Sequence, residues 1–273
     1  MKKIGIFAND YGGAFNSIIY LKKNFKLNKN FYFFLFGPAK DAYKLIESKI
    51  KIEKNFFKLK KCDLVYYSLS KNKKFEKKFL SNVEKKKIYN VLIIDGWGNY
   101  KKKMLIKKKL FFPNEIIVFD KLAQSIFFKL FPKKKNYLTL INNLIFDYII
   151  SRNKIKKKKI NNLLYLSSPI YKLKKNEHNL LKKISIKLKL KLKIRKHPSD
   201  QKKKNIDIID DLNLSKVVVG HDSSALIYSS ILNKKTYSIG KKDIFNWKKY
   251  GTYKFFNIRK VSSFEKLNDE INR

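Results

Sequence analysis

Cysteine is nearly absent from this sequence: Cys62 stands alone among 273 residues. That excludes a disulfide framework and any metal site built from several cysteines. Histidine is almost as scarce, at three residues, so imidazole chemistry has few places to occur. Long apolar runs are missing too, and none reaches the ~18 residues of a membrane span. The opening "MKKIGIFAND" meets Asp10 too soon to be the apolar core of a signal peptide. These absences lead us to expect a soluble cytoplasmic protein. Acidic residues number 21 against 65 Lys+Arg, a net charge of +44. Arginine contributes only Arg152, Arg195, Arg259 and Arg273 to that excess.

What is present is enough for a core. Hydrophobic residues make up 44% of the chain, which is ordinary for a globular protein. A chain of this length buries a sizeable interior in one or two domains. The charge would draw in nucleic acid or an anionic membrane. Yet arginine is the residue suited to planar phosphate and base recognition, and here it is rare. Lysine, isoleucine, asparagine, phenylalanine and tyrosine share A/T-rich codons, so base composition accounts for much of this surface. No specific nucleic-acid partner is expected. A basic face could still lie peripherally against the inner face of a membrane.

The order of elements argues for a parallel sheet. "KKIGIFAND" reads as a buried strand, "YGGAFN" as a glycine turn, and "SIIYLKKNF" as a helix with Ile18, Ile19, Leu21 and Phe25 apolar. "FYFFLFGPA" is a second strand, closing a β-loop-α-β unit. "DLVYYSLS", "VLIIDG" and "EIIVFD" continue the series. The polar run 151–162, "SRNKIKKKKINN", is the linker candidate. Beyond it a new series begins: strands "NLLYLSS", "KLKIRKHP", "KVVVG" and "KTYSIG", with helices "EHNLLKKISIKLKL" and "SALIYSSILNKK" between them. The expected architecture is α/β, with two Rossmann-like parallel-sheet domains facing a cleft. Their bounds are 1–150 (acceptor side) and 163–273 (nucleotide and donor side).

Candidate site residues sit where these strands end, because α/β folds place ligands there. In "VVVGHDSSALIYSS" a strand ends at Gly220, and Asp222 or Ser223 can cap the helix that follows. Free N–H groups and the helix dipole favour an anion there, with His221, Ser223 and Ser224 beside it. In "IRKHPSD" Pro198 stops the strand and leaves His197 at its edge, able to donate to a phosphate or protonate one as it leaves. Arg195, two residues back, could steady the charge. "VLIIDGWGNY" delivers Asp95 to a glycine-bracketed loop, where partial burial would raise its pKa toward that of a general base. Trp97 and Tyr100 read as packing, and Asp120 repeats the strand-end pattern more weakly. "NDYGGAFN" lacks a full dinucleotide fingerprint, though Gly12 and Gly13 could let the backbone approach a phosphate or sugar.

The run "LKIRKHPSD…LSKVVVGHDSSALIYSSILNKKTYSIG" resembles the donor-binding half of GT-B-type glycosyltransferases of bacterial surface polysaccharides. That group includes bacterial sialyltransferases and polysialyltransferases and the related glycerophosphotransferases of teichoic acid synthesis. "IIDGWGNY" looks like the acidic-Gly motif that supplies the sialyltransferase base. It is still more similar to an uncharacterised bacterial family that also has the "PNEIIVFD" segment and the "DYGGAFN…FLFGPA" start. Where the sialyltransferases carry an acidic pair this chain has Ile94-Asp95, one carboxylate fewer. The resemblance implies that Asp95 activates an acceptor, that His197 contacts or protonates the donor phosphate, and that Ser223 and Ser224 hold phosphate or nucleotide.

These readings converge on a metal-independent, inverting glycosyltransferase with no cofactor. Its partners would be a CMP- or UDP-linked sugar donor and a glycan or lipid-linked acceptor. Two rivals stand beside it: a nucleotide-sugar epimerase or hydrolase on the same fold, and a non-catalytic basic protein that binds polyanions.

Overall fold

The computed structural model describes residues 2–42, 51–70, 73–106, 109–152, 160–168, 171–197, 208–240, 243 and 246–271. The chain divides into two units, Met1–Ile145 and Phe146–Arg273. The division falls inside the helix Leu144–Ser151. Of the basic stretch 151–162, residues 153–159 lie outside the described residues, as does Pro198. Among the described residues no helix is long and apolar enough to cross a membrane.

The first unit is built on strands β1 (Ile4–Ala8), β2 (Phe31–Leu35), β3 (Leu64–Tyr67) and β4 (Tyr89–Ile93). A short hairpin, β5 (Leu105–Ile106) and β6 (Lys109–Leu110), precedes β7 (Glu115–Val118) and β8 (Leu138–Leu140). The main sheet has the order β2-β1-β3-β4-β7-β8, and every pairing in it is parallel. Its central strands carry unbroken apolar runs because both faces are covered; β1 is buried at all five positions. Aromatic packing closes one layer: the Phe7 and Phe79 rings stack with centroids 4.3 Å apart, and Phe36 stacks on Phe75 at 4.4 Å.

One local expectation fails here. The glycine turn "YGGAFN" is helical: α1 spans Tyr11–Asn24, so Gly12 and Gly13 lie in its first turn. Asp10 caps it, its Oδ1 accepting the Gly13 N–H at 2.8 Å. The cap outweighs the poor helix propensity of two glycines. Gly13 is required for packing, since a Cβ there would lie 2.0 Å from Ser68 Oγ. Its absence lets α1 lie directly against the end of β3.

The second unit contains β9 (Asn162–Leu166), β10 (Lys191–Arg195), β11 (Ser215–Gly220), β12 (Lys235–Ile239) and β13 (Arg259–Val261). Their order is β10-β9-β11-β12-β13, again all parallel. Alternate residues of one sheet face, such as Tyr165, Val219 and Tyr237, form a core with Leu181 and Phe264 from the helices Lys175–Lys187 and Phe264–Ile271.

Both sheets share a plan. The first strand of each lies between the second and the third, so the chain reverses its direction of winding beside that strand. In open parallel sheets this switch point, at the carboxyl ends of the strands, is where ligands bind. It falls between β1 and β3 in the first unit and between β9 and β11 in the second.

Candidate functional sites

At the carboxyl edge of the first unit's sheet, two strand ends and two helices bring charged side chains together. Asp10 follows β1, and Asp95 follows β4. The first turn of α1 lies over Asp95: a Cβ on Gly12 would be 3.4 Å from Asp95 Oδ2. Lys103, on the short helix Tyr100–Met104, donates to Asp95 Oδ1 at 2.6 Å. Glu76, fully buried on the helix Lys73–Lys85, accepts the backbone N–H of Ser70 beyond β3. A recess beside this group is lined by Leu69, Ile94, Asp95, Tyr100, Lys103 and Met104.

The electrostatics follow from crowding. Burial, then the charge of Asp95, pushes Asp10 up to about 7, against the pull of Lys103 and the Gly13 hydrogen bond. Burial works against the charge on Lys103, yet Asp95 and Asp10 outweigh it and raise its pKa. A carboxylate that titrates near neutrality beside a second carboxylate and an ammonium can accept and return a proton at working pH.

The remaining acid of the series is structural. Asp120 caps the helix Lys121–Leu130 through the Ala123 N–H at 2.8 Å and accepts Trp97 Nε1–H at 2.7 Å. Tyr100 donates to Gly96 O at 2.7 Å. Trp97 and Tyr100 therefore pin the Asp95 loop and are buried in doing so.

In the second unit β10 and β11 flank β9, so the His197 and His221 loops leave the same sheet edge. Ser167, just past β9, accepts the His197 backbone N–H on its hydroxyl at 2.8 Å, and its own N–H donates to Arg195 O at 2.9 Å. That ladder holds His197 at the edge. Arg195, expected to steady a phosphate, instead has its guanidinium on Asp211, which Lys193 also contacts at 2.6 Å. Asp211 is buried on the helix Ile208–Asn213, and a buried acid needs such partners.

The turn after β11 separates two roles. Ser223 is the cap of the helix Ser224–Ile231, accepting the Ala225 N–H at 3.3 Å, and Ser224 is its first residue. Asp222 points inward and accepts from Ser238 Oγ and Tyr253 OH at 2.6 Å each, and from Lys260 Nζ at 3.1 Å. His221 is also buried. Its ring lies against Tyr171, centroids 4.1 Å apart, and its Nδ1 side faces Gly240, whose φ of +113° favours glycine. Burial lowers the His221 pKa, against a hydrogen bond to the Ile239 backbone. Among the described residues no group of three or more His, Cys, Asp or Glu is placed to hold a metal ion.

Asp10, Glu76 and Lys103 escaped the sequence reading. For Asp10 the signal was available: "FAND" ends a buried strand in an acid, as "IIDG" and "VFD" do. Glu76 and Lys103 sit in lysine-rich helices with nothing in their local sequence to mark them.

No protein-family model matches the chain, and no curated protein does. Solved structures do match. A variant of the wall teichoic acid polymerase TagF soaked with CDPG aligns over 99% of this chain and 78% of its own, with a TM-score of 0.61 and 11% identity. TagF itself aligns over 99% and 79%, with a TM-score of 0.55 and 12% identity. A protein provisionally assigned as a UDP-N-acetylglucosamine 2-epimerase, from Listeria monocytogenes, aligns over 99% and 87%, with a TM-score of 0.64 and 11% identity. At such identity the likeness concerns the fold: this chain has the GT-B-type pair of parallel-sheet α/β units.

Proposed function

We propose that the chain is an enzyme of cell-surface glycan synthesis that transfers a group from a nucleotide-linked donor to a glycan or lipid-linked acceptor. The observation that carries this reading is the edge of the second sheet. There His197, held by Ser167, and the Ser223–Ser224 helix start leave strands on either side of β9. A helix N-terminus with serine hydroxyls and a nearby imidazole can hold a diphosphate without a metal. The solved TagF structure with CDPG and the UDP-N-acetylglucosamine epimerase share the fold and, by their names, handle nucleotide-linked substrates.

In this reading the first unit serves the acceptor. The Asp95 carboxylate takes the proton of an acceptor hydroxyl as it attacks the donor carbon, and the configuration inverts. Lys103 holds Asp95 in place, and Asp10 lies close enough to share the proton load. His197 stabilises or protonates the leaving phosphate. The lysine surface favours approach to an anionic membrane that carries the acceptor.

A nucleotide-sugar 2-epimerase is the second reading, and one observation favours it. Such chemistry wants several carboxylates, and the first unit gathers Asp10, Glu76 and Asp95. Incubation with UDP-N-acetylglucosamine, followed by phosphorus and proton NMR, separates the two. Transfer predicts nucleotide release that depends on added acceptor. Appearance of the 2-epimer without acceptor would select the epimerase, and an unchanged substrate with every donor tried, CDP-glycerol included, would refute both.

A further inference from the structure

Two segments distant in sequence meet on one surface of the first unit. One is the hairpin β5–β6 with the residues that lead into β7. The other is the end of the helix Lys121–Leu130 with the turn Pro132–Tyr137 that follows it. Their contacts are aromatic and cationic. The Phe112 and Phe131 rings meet edge to face, centroids 5.3 Å apart. Lys134 Nζ lies over both Phe112, at 5.0 Å, and Tyr137, at 4.6 Å. Lys135 lies 5.7 Å over Phe128, and Lys101, on the short helix Tyr100–Met104, lies 6.0 Å over Phe131. Two residues before Phe112 the hairpin pairs Leu110 with Leu105, so both side chains project from one face, and they are 42% and 44% exposed. Exposed apolar side chains set among cations mark an interaction surface. The free charge here has one sign. Residues 96–137 hold eleven lysines, no arginine and two acids. Both acids are engaged: Asp120 is a buried helix cap, and Glu115 accepts the Thr139 hydroxyl at 2.8 Å.

We infer that this face is a docking surface for an anionic lipid bilayer. Leu105 and Leu110 enter the headgroup layer, the Phe112, Phe128 and Tyr137 rings lie at its boundary, and the lysines reach past them to the lipid phosphates. The inference deepens the reading of a lipid-linked acceptor met by the first unit, and rests on it. Chain connection supports it: Lys103, which holds Asp95, follows Lys101 by two residues on the same short helix, so the docking face and the proposed base share one element. A nucleic acid fits this face less well. Bases stack on open ring faces, and here ammonium groups lie over them. Arginine, the residue suited to bases and phosphates, is absent from the stretch, and two opposed leucines offer a base nothing to bond.

The test is flotation of the full chain with vesicles of phosphatidylcholine, alone or with ~30% phosphatidylglycerol, at ~0.15 M salt. Three variants are compared with wild type: Leu105→Ser/Leu110→Ser, Lys101→Gln/Lys134→Gln/Lys135→Gln, and a charge-matched control, Lys182→Gln/Lys183→Gln/Lys187→Gln, at exposed positions of the second unit's helix Lys175–Lys187. Wild type should bind only the anionic vesicles. The leucine pair should weaken that binding about tenfold. The Lys101 triple should weaken it about a hundredfold, since each lysine at an anionic surface contributes about fivefold. The control triple should change it little. Fluorescence of Leu110→Trp should be quenched by lipids brominated on their acyl chains, against a background from Trp97 and Trp247, which are buried. Equal losses in the two lysine triples, binding untouched by the leucine pair, or no quenching in Leu110→Trp overturns the inference. Tighter binding of a single-stranded oligonucleotide than of vesicles, lost in the same variants, overturns it in favour of nucleic acid. Nucleotide binding, measured on the same samples, should match wild type in every variant. Its absence from wild type would refute the donor reading, a result independent of the vesicle measurements.

Discussion

The two units are variations on one plan, and they differ most tellingly in the side chains at the strand ends. Each winds a first strand between a second and a third and so opens a switch point at the carboxyl edge. At that edge the first unit gathers three acids around one lysine: Asp10, Glu76 and Asp95 with Lys103. The second gathers imidazoles and hydroxyls: His197, His221, Ser167, Ser223 and Ser224. Its one acid in the turn, Asp222, is sealed inward by three donors. The backbone plan supplies a place, and the side chains decide what the place does. Crowded carboxylates in a low-dielectric pocket retain protons to higher pH. Serines at a helix start and a poised imidazole suit anions.

Substitutions can break this contrast, and their effects should fall in order. Lys103→Met removes the cation from a cluster of buried acids, so it should destabilise the first unit by roughly 3–5 kcal/mol at pH 7. Denaturant unfolding at pH 5 should recover part of the loss, because Asp10, pushed up to about 7, is then protonated. An equal loss at both pH values would show that Lys103 acts through packing alone. Asp222→Ala should cost roughly 2–3 kcal/mol, since Ser238, Tyr253 and Lys260 lose their shared acceptor. Hydrogen exchange should then accelerate in β12 and β13 and stay unchanged in β1, β3 and β4.

Asp10 sharpens the comparison through pH. Its folded pKa of about 7 lies above its ordinary value of 3.8. The folded state thus binds the proton more tightly, and this group's contribution declines as pH rises from about 4 to about 7. Asp10→Asn removes that slope. Relative to the variant, wild type should lose up to ~1.4 kcal/mol per pH unit across the window. Parallel stability curves would mean that Asp10 titrates normally. The smallest effect belongs to Ser223→Ala, where loss of a helix cap should cost about 1 kcal/mol in the second unit. A loss several times larger would give Ser223 a structural role beyond the cap.

Much of this was legible in the sequence, for identifiable reasons. Strands β1, β4, β7 and β11 each contain a short apolar run followed within two residues by an acid or a glycine, the pattern expected of strands covered on both faces. The sequence placed Asp95, His197 and the Ser223–Ser224 turn just beyond strands, and they follow β4, β10 and β11. What stayed hidden depends on contacts distant in sequence. The turn expected at Gly12-Gly13 is helix, capped by Asp10, and glycine is needed at position 13 because Ser68, more than fifty positions away, leaves no room for a side chain there. Arg195 is held by Asp211, an acid on the helix Ile208–Asn213, and its partner could not be read from β10. Asp10, from a different strand end than Asp95, lies close enough for the charge of Asp95 to raise its pKa, a proximity the sequence did not display.

The central claim is a division of labour, with phosphate and nucleotide held by the second unit and proton transfer by the first. It is tested most directly by nucleotide binding and turnover measured side by side for wild type, Asp95→Asn and His197→Ala, at ~0.3 M salt to screen the lysine surface. The account predicts that Asp95→Asn binds the nucleotide as wild type does but loses turnover, while His197→Ala loses binding. Nucleotide binding that disappears with salt in wild type, or falls equally in both variants, would contradict it.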